Sequence, residues 1–240
     1  MSKINSLTAK ESQLLGHTKT FVQETLADAE GGHDWSHTLR VYNNALLIAK
    51  HETVDLLIVG LAALLHDISD AKFNGGDEKK GARIAEAFLM EKKLAPEKAA
   101  HVSKIIANVS FKGGTTERTH NSTELDVVQD ADRLDALGAV GIARTFNYGG
   151  FKNRKLYDPE IPPQMEQSPE TYRKSESPTI NHFYEKLLLL KDRMNTETGK
   201  KIAQERHDFM ETFLDRFYAE WEGRDYHLPV DALPHKRKTI

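Results

Sequence analysis

The sequence predicts an all-α fold, on three observations. Apolar residues recur every three or four positions through most of the chain. The most apolar run, Val54 to Leu65, is rich in leucine and alanine and is interrupted only by Asp55, which suits a helix surrounded by other helices better than a strand. No stretch shows the apolar–polar alternation of a half-buried strand, and no internal repeat stands out.

The elements follow in order. Thr8-Ala-Lys-Glu11 is a capping box, after which Leu14, Leu15, Phe21, Val22 and Leu26 carry a helix to about Ala29. Gly31 and Gly32 end it, and Asp34 caps a second helix whose Leu39, Tyr42, Leu46 and Ala49 take it to about His51. Val54 to Leu65 forms the third. Phe73-Asn-Gly-Gly reads as a loop, then an amphipathic helix spans about Asp77 to Lys93 and another starts at Pro96. After a loop over Lys112 to Asn121, one long helix is expected from about Thr123 through Phe146, with Gly138 and Gly141 inside it. Tyr148 to Ser177 is rich in Pro, Gly, Tyr and charge and reads as a long connection or lid, and helices over about Pro178–Met194 and Thr198–Glu222 close the chain. The economical organisation is a single domain over residues 1–240.

Composition narrows the function. With 39% hydrophobic and 29% charged residues, the chain has the makings of a soluble globular domain with a substantial core. The net charge of −3 provides no global basic field, and the basic cluster at 235–238 lacks interleaved aromatics, so neither nucleic acid nor an acidic membrane is an expected partner. No run reaches the length of a membrane span and the N-terminus lacks an apolar leader core, which makes the cytoplasm the expected compartment. The absence of cysteine removes disulfides, thiol catalysis and thiolate metal ligation. Any metal must therefore be held by His, Asp or Glu. Nothing in this composition opposes a homodimer.

The apolar run ends in His66-Asp67. A desolvated, unpaired carboxylate costs several kcal/mol, so such a group pairs, shifts its pKa or binds a cation; the adjacent histidine points to a metal. Adjacent helical positions diverge by about 100°, so other helices must complete the shell. In "HDWSHTLRV", His33 and His37 are four residues apart, and His37 is the better ligand because His33 falls in the glycine turn. A carboxylate from the later helix would finish the site. Asp130 and Asp132 are the candidates; they face nearly opposite sides of that helix, and spacing does not decide between them.

His37, the His66-Asp67 doublet and the aspartate of "ADRL" together resemble the H…HD…D signature of HD-domain metal-dependent phosphohydrolases. The segments "HDWSHTLRV", "LLHDISDAKF" and "QDADRLDALGAVGIARTFNYGG", and the C-terminal "HFYEKLLLLKDRMNTETGKKIA", are similar to the bacterial branch related to HD nucleotide pyrophosphohydrolases. The resemblance implies an HD-fold helical bundle with its metal core at about 31–145 and C-terminal helices at about 178–222. It implies Asp132 as fourth ligand beside His37, His66 and Asp67, with Asp130 either behind it or structural. Two imidazoles and two carboxylates suit one Mn²⁺, Fe²⁺, Co²⁺, Mg²⁺ or Zn²⁺ ion, with Mn²⁺ favoured, and leave positions for water and a phosphate oxygen.

Asp70, three residues beyond Asp67, is a candidate to orient or deprotonate the attacking water. Lys72 is the nearest cation for the phosphate and for catalysis, and Arg40, sharing the face of His37, is a further substrate-binding candidate. Arg133, Asp135 and Arg144 read as structural. The expected activity is hydrolysis of a small phosphorylated molecule, foremost cleavage of a nucleoside triphosphate to monophosphate and pyrophosphate. A 5′-nucleotidase is the alternative reaction; a di-iron oxygenase-like site and a non-catalytic nucleotide-sensing module are the alternatives of other classes.

Overall fold

The computed structural model describes residues 6–27, 34–69, 79–109, 118–165 and 177–224. Nine α-helices and two short 3-10 helices, and no strand, occur among the described residues. The first five are α1 (Ala9–Thr25), α2 (Trp35–Ala49), α3 (Leu56–Leu65), α4 (Lys80–Glu91) and α5 (Pro96–Val109). They are followed by α6 (Thr123–Leu134), α7 (Gly138–Phe151), α8 (Asn181–Glu185) and α9 (Glu197–Trp221).

α3 is the axis. Leu57 through Leu65 are all buried, and the helix packs against α1, α2, α5 and α6. Asp55, the one polar residue of the run, is its N-cap: the carboxylate accepts from the backbone of Leu57 and Ile58, so the helix begins at Leu56. The box at Thr8 and Glu11 forms in full at the head of α1, and Asp34 accepts from His37 N at the head of α2. α2 and α6 pack on α3 and on each other, which gathers the start of α2, the end of α3 and the end of α6 at one place. α9 lies across α6 and α7.

Two expected helices divide. The long helix through Phe146 stops at Leu134 and restarts at Gly138, whose φ of +70° no continuous helix accommodates. Gly141 then lets the new helix fold back tightly, since a Cβ there would lie 2.2 Å from the carbonyl oxygen of Ala136. The expected Pro178–Met194 helix is only α8 followed by 3-10 turns at Leu187–Leu189 and Lys191–Arg193, with the break at Lys186 (φ −144°, ψ −54°). α1 ends at Thr25, capped by Leu26, short of the expected Ala29.

Candidate metal centre

His37 sits in the first turn of α2 and is 3% exposed. Its Nδ1 lies 2.7 Å from Asp135 Oδ2. A carboxylate accepts, so Nδ1 carries the proton and the Nε2 lone pair faces the opposite way. There it meets Asp132 Oδ1 at 3.5 Å and Asp67 Oδ2 at 3.8 Å.

His66 caps the C-terminus of α3, and its Nδ1 donates to Ala63 O at 2.9 Å, which fixes the same tautomer. Its Nε2 is buried without a hydrogen-bond partner, 3.9 Å from Asp132 Oδ1. The rings of His37 and His66 are 5.4 Å apart at 67°.

His37, His66 and Asp132 thus offer ligand atoms all within 4.8 Å of one another. Ligands about 2.1 Å from one ion stand roughly 3–4 Å from each other, so the contacts of 3.5–3.9 Å are too long for hydrogen bonds and suited to a shared cation. Asp67 adjoins this trio through His37. The orphaned Nε2 of His66 is the strongest sign that a group is wanted here, because an unsatisfied buried imidazole nitrogen is costly. The donor set fits a divalent ion.

Asp130 turns the other way. Fully buried, it accepts from the backbone of Asn195 and Thr196, from the Thr196 hydroxyl and from Arg133, and so holds the start of α9. Burial pushes its carboxyl up, against the pull of those Thr196 and Asn195 hydrogen bonds.

Asp135, read from sequence as structural, lies in direct contact with His37. It is 1% exposed and also receives Arg40 Nε at 2.6 Å, Arg40 Nη2 at 3.0 Å and Arg144 Nη1 at 2.5 Å. Burial opposes its ionisation, yet the bonds from His37 and Arg40 and the charge of Arg144 hold its carboxyl far below the ordinary carboxylate range. Its position one helical turn past Asp132 was the signal for it. Arg40, expected beside substrate, is held on Asp135. Arg133 is taken up by Asp130 and Arg193 O. His33, Asp70 and Lys72 lie outside the described residues.

His101 and His120 stand together near the start of α6, their rings 5.3 Å apart, with His101 Nε2 3.8 Å from Glu124 Oε2. Eight residues along α6 put Asp132 about 12 Å from Glu124.

The HD domain family matches residues 34–137, which contain all four expected ligands. Bacillus subtilis YpgQ is 38% identical over 219 residues, covering 90% of this chain and 98% of YpgQ. The crystal structure of an HD-superfamily hydrolase from Bacillus thuringiensis is similar at a TM-score of 0.72 and 42% identity, over 88% of this chain and 98% of that one. The crystal structure of B. subtilis YpgQ in complex with ADP is similar at a TM-score of 0.71 and 34% identity, over 90% of this chain and all of that one.

Proposed function

Because the chain belongs to the HD-domain superfamily, we propose that its His–Asp centre holds one divalent metal ion and hydrolyses a small phosphorylated molecule, a nucleotide foremost. The observation that carries this reading is the convergence of His37 Nε2, His66 Nε2 and Asp132 from three helices, with the His66 nitrogen otherwise unpartnered. The hydrolase from B. thuringiensis supports the reaction class, and the ADP held by YpgQ supports the nucleotide. Residues 1–240 are read as one HD-type domain.

His37, His66, Asp67 and Asp132 are the proposed ligands, Mn²⁺ the favoured ion. When bound, such an ion polarises a phosphoryl oxygen and acidifies a water. The protein's own part is to present the ligands correctly. Asp135 and Ala63 O each engage an Nδ1–H, so both imidazoles offer Nε2 without having to rotate or change tautomer. Asp70 is the proposed proton acceptor for the attacking water and Lys72 the cation for the phosphate.

The preferred reaction converts a nucleoside triphosphate to monophosphate and pyrophosphate. A di-iron centre is disfavoured by the placement of His101 and His120 beside Glu124, far along α6 from Asp132. The test is incubation with Mn²⁺ and a panel of nucleotides, with pyrophosphate and orthophosphate assayed separately. Pyrophosphate release that disappears in His66→Ala and Asp132→Ala is the expected result. Orthophosphate alone would replace it with the 5′-nucleotidase reaction, and metal binding without either product would leave a nucleotide sensor.

A further inference from the structure

Behind the His37–Asp135 contact lies a pocket of about 340 Å³ where α2, the start of α7 and α9 meet. Arg40, Asn43 and Asn44 line it from α2 and Arg206 from α9. Among the described residues Asp135 is the one carboxylate in its wall, and that carboxylate already serves His37, Arg40 and Arg144.

Among the described residues the hydrogen-bond partners of Arg206 are neutral: Nη1 donates to Leu134 O at 2.6 Å and Nη2 to Asn44 Oδ1 at 2.9 Å. Burial works against its charge, with Asp135 the acidic group that favours it. A guanidinium has five N–H donors. Arg40 spends Nε and Nη2 on Asp135, so its Nη1, like the Nε of Arg206, makes no hydrogen bond among the described residues. Arg40 and Arg206 therefore bring two positive charges and unspent donors to one cavity whose single carboxylate is shared elsewhere. α7 also opens into this pocket at Gly138, with no side chain capping it and Ala139 and Val140 exposed.

We propose that this pocket is a binding site for the phosphate or diphosphate group of a small molecule, separated from the metal centre by Asp135. Donors arriving from two helices and from an uncapped helix start call for a ligand whose oxygens accept in several directions, which a tetrahedral oxyanion does and a planar carboxylate does less well. The volume admits a diphosphate. The site does not depend on the hydrolytic reading, because none of the four proposed metal ligands lines it.

The test uses full-length Asp132→Ala protein, so that no phosphate is captured through a metal. Inorganic phosphate, pyrophosphate and ADP are titrated by calorimetry into this protein and into the double variant Asp132→Ala/Ala139→Glu. Residue 139 is solvent-exposed in the first turn of α7, where a glutamate is favourable to the helix and sets a negative charge at the pocket; circular dichroism checks the fold. We expect pyrophosphate to bind and Ala139→Glu to weaken it by about tenfold or more. Binding of ADP alone, lost in the same variant, supports the site with a nucleotide as the source of the phosphate. No binding of any probe at millimolar concentration, or binding indifferent to Ala139→Glu, overturns the proposal, while nucleotide turnover by the wild-type protein judges the hydrolytic reading separately.

Discussion

Replacing Asp135 by asparagine separates the role of this carboxylate in holding His37 from its role as an ion pair. Asp135 Oδ2 accepts from His37, Arg40 Nη2 and Arg144, and Oδ1 accepts from Arg40 Nε. An amide has one acceptor oxygen. The best orientation leaves that oxygen where Oδ2 was, and turns the amide N–H groups on Arg40 Nε–H, donor against donor. Breaking a buried pair costs about 3–5 kcal/mol. The guanidinium partners are 33% and 30% exposed, so water recovers part of that and a loss of about 2–3 kcal/mol is expected in metal-free urea unfolding. The His37 contact survives only as a neutral hydrogen bond, roughly half as strong. Its imidazole becomes a poorer and less rigid donor, and Mn²⁺ affinity should fall about 10- to 100-fold in competition with a chromophoric chelator. Asp130→Asn is the control, since that carboxylate is fully buried on the same helix but holds Asn195 and Thr196. It should destabilise without altering metal affinity. Asp135→Asn protein that loses stability yet binds Mn²⁺ within about twofold of wild type would refute the positioning role.

The other predictions rest on separate parts of the molecule. At a hundredfold excess over Kd, metal should stabilise the native protein by about 2.7 kcal/mol, a rise of roughly 5–10 °C in Tm, and His66→Ala should abolish that shift in a thermal melt with and without Mn²⁺. Burial, helped by the charges of Lys186 and Arg154, pushes the His182 imidazole down from 6.5 to about 3. Between those values the unfolded chain takes up a proton that the folded one refuses, so this group makes stability fall as pH drops from 6.5 toward 3. The ceiling is about 1.4 kcal/mol per pH unit and the residue keeps some exposure, so a slope near 1 is expected, and His182→Gln should remove it in urea titrations across that range. Gly138→Ala forces a side chain onto φ +70° and within 3.1 Å of Arg206 Cγ, for a loss of about 1–3 kcal/mol. Gly150→Ala, near the end of the same helix with nothing within 4 Å, should instead gain up to about 1 kcal/mol by denaturant unfolding.

What the sequence made legible follows a physical line. The side chains that converge with His66 could be anticipated because a histidine and an aspartate ending an apolar helix need compensation wherever the helix packs. Caps were legible where the signal is local: the Asp34 carboxylate answers the His37 backbone donor three residues away. Asp55, read only as an interruption of the apolar run, is the cap that starts the helix at Leu56 instead of Val54. The split of the 178–194 segment was hidden because Leu187 and Leu190, three apart and both buried, satisfy a 3-10 turn as well as an α-helix, and apolar spacing alone does not tell them apart. The turn at Gly138 was hidden because glycine is tolerated inside a helix as well as at its end; what decides is the close return of Gly141 on Ala136 and of Gly138 on Arg206, from a helix far along the chain.

The role of Asp135 belongs to this second kind. Its spacing sets it one turn past Asp132, yet the sequence reads it as structural, because which partners it would meet depended on α2 lying against α6, a contact between residues 98 positions apart. Once that packing exists, the carboxylate has little freedom. It is nearly inaccessible to water and two guanidinium groups and an imidazole converge on it. Burying it without them would be prohibitive, and burying it with them fixes the orientation of His37 as a by-product. The same charges that stabilise the packing of α2 on α6 thereby orient the proposed ligand His37, so on the proposed reading folding and metal affinity share a residue whose importance only the tertiary contact reveals.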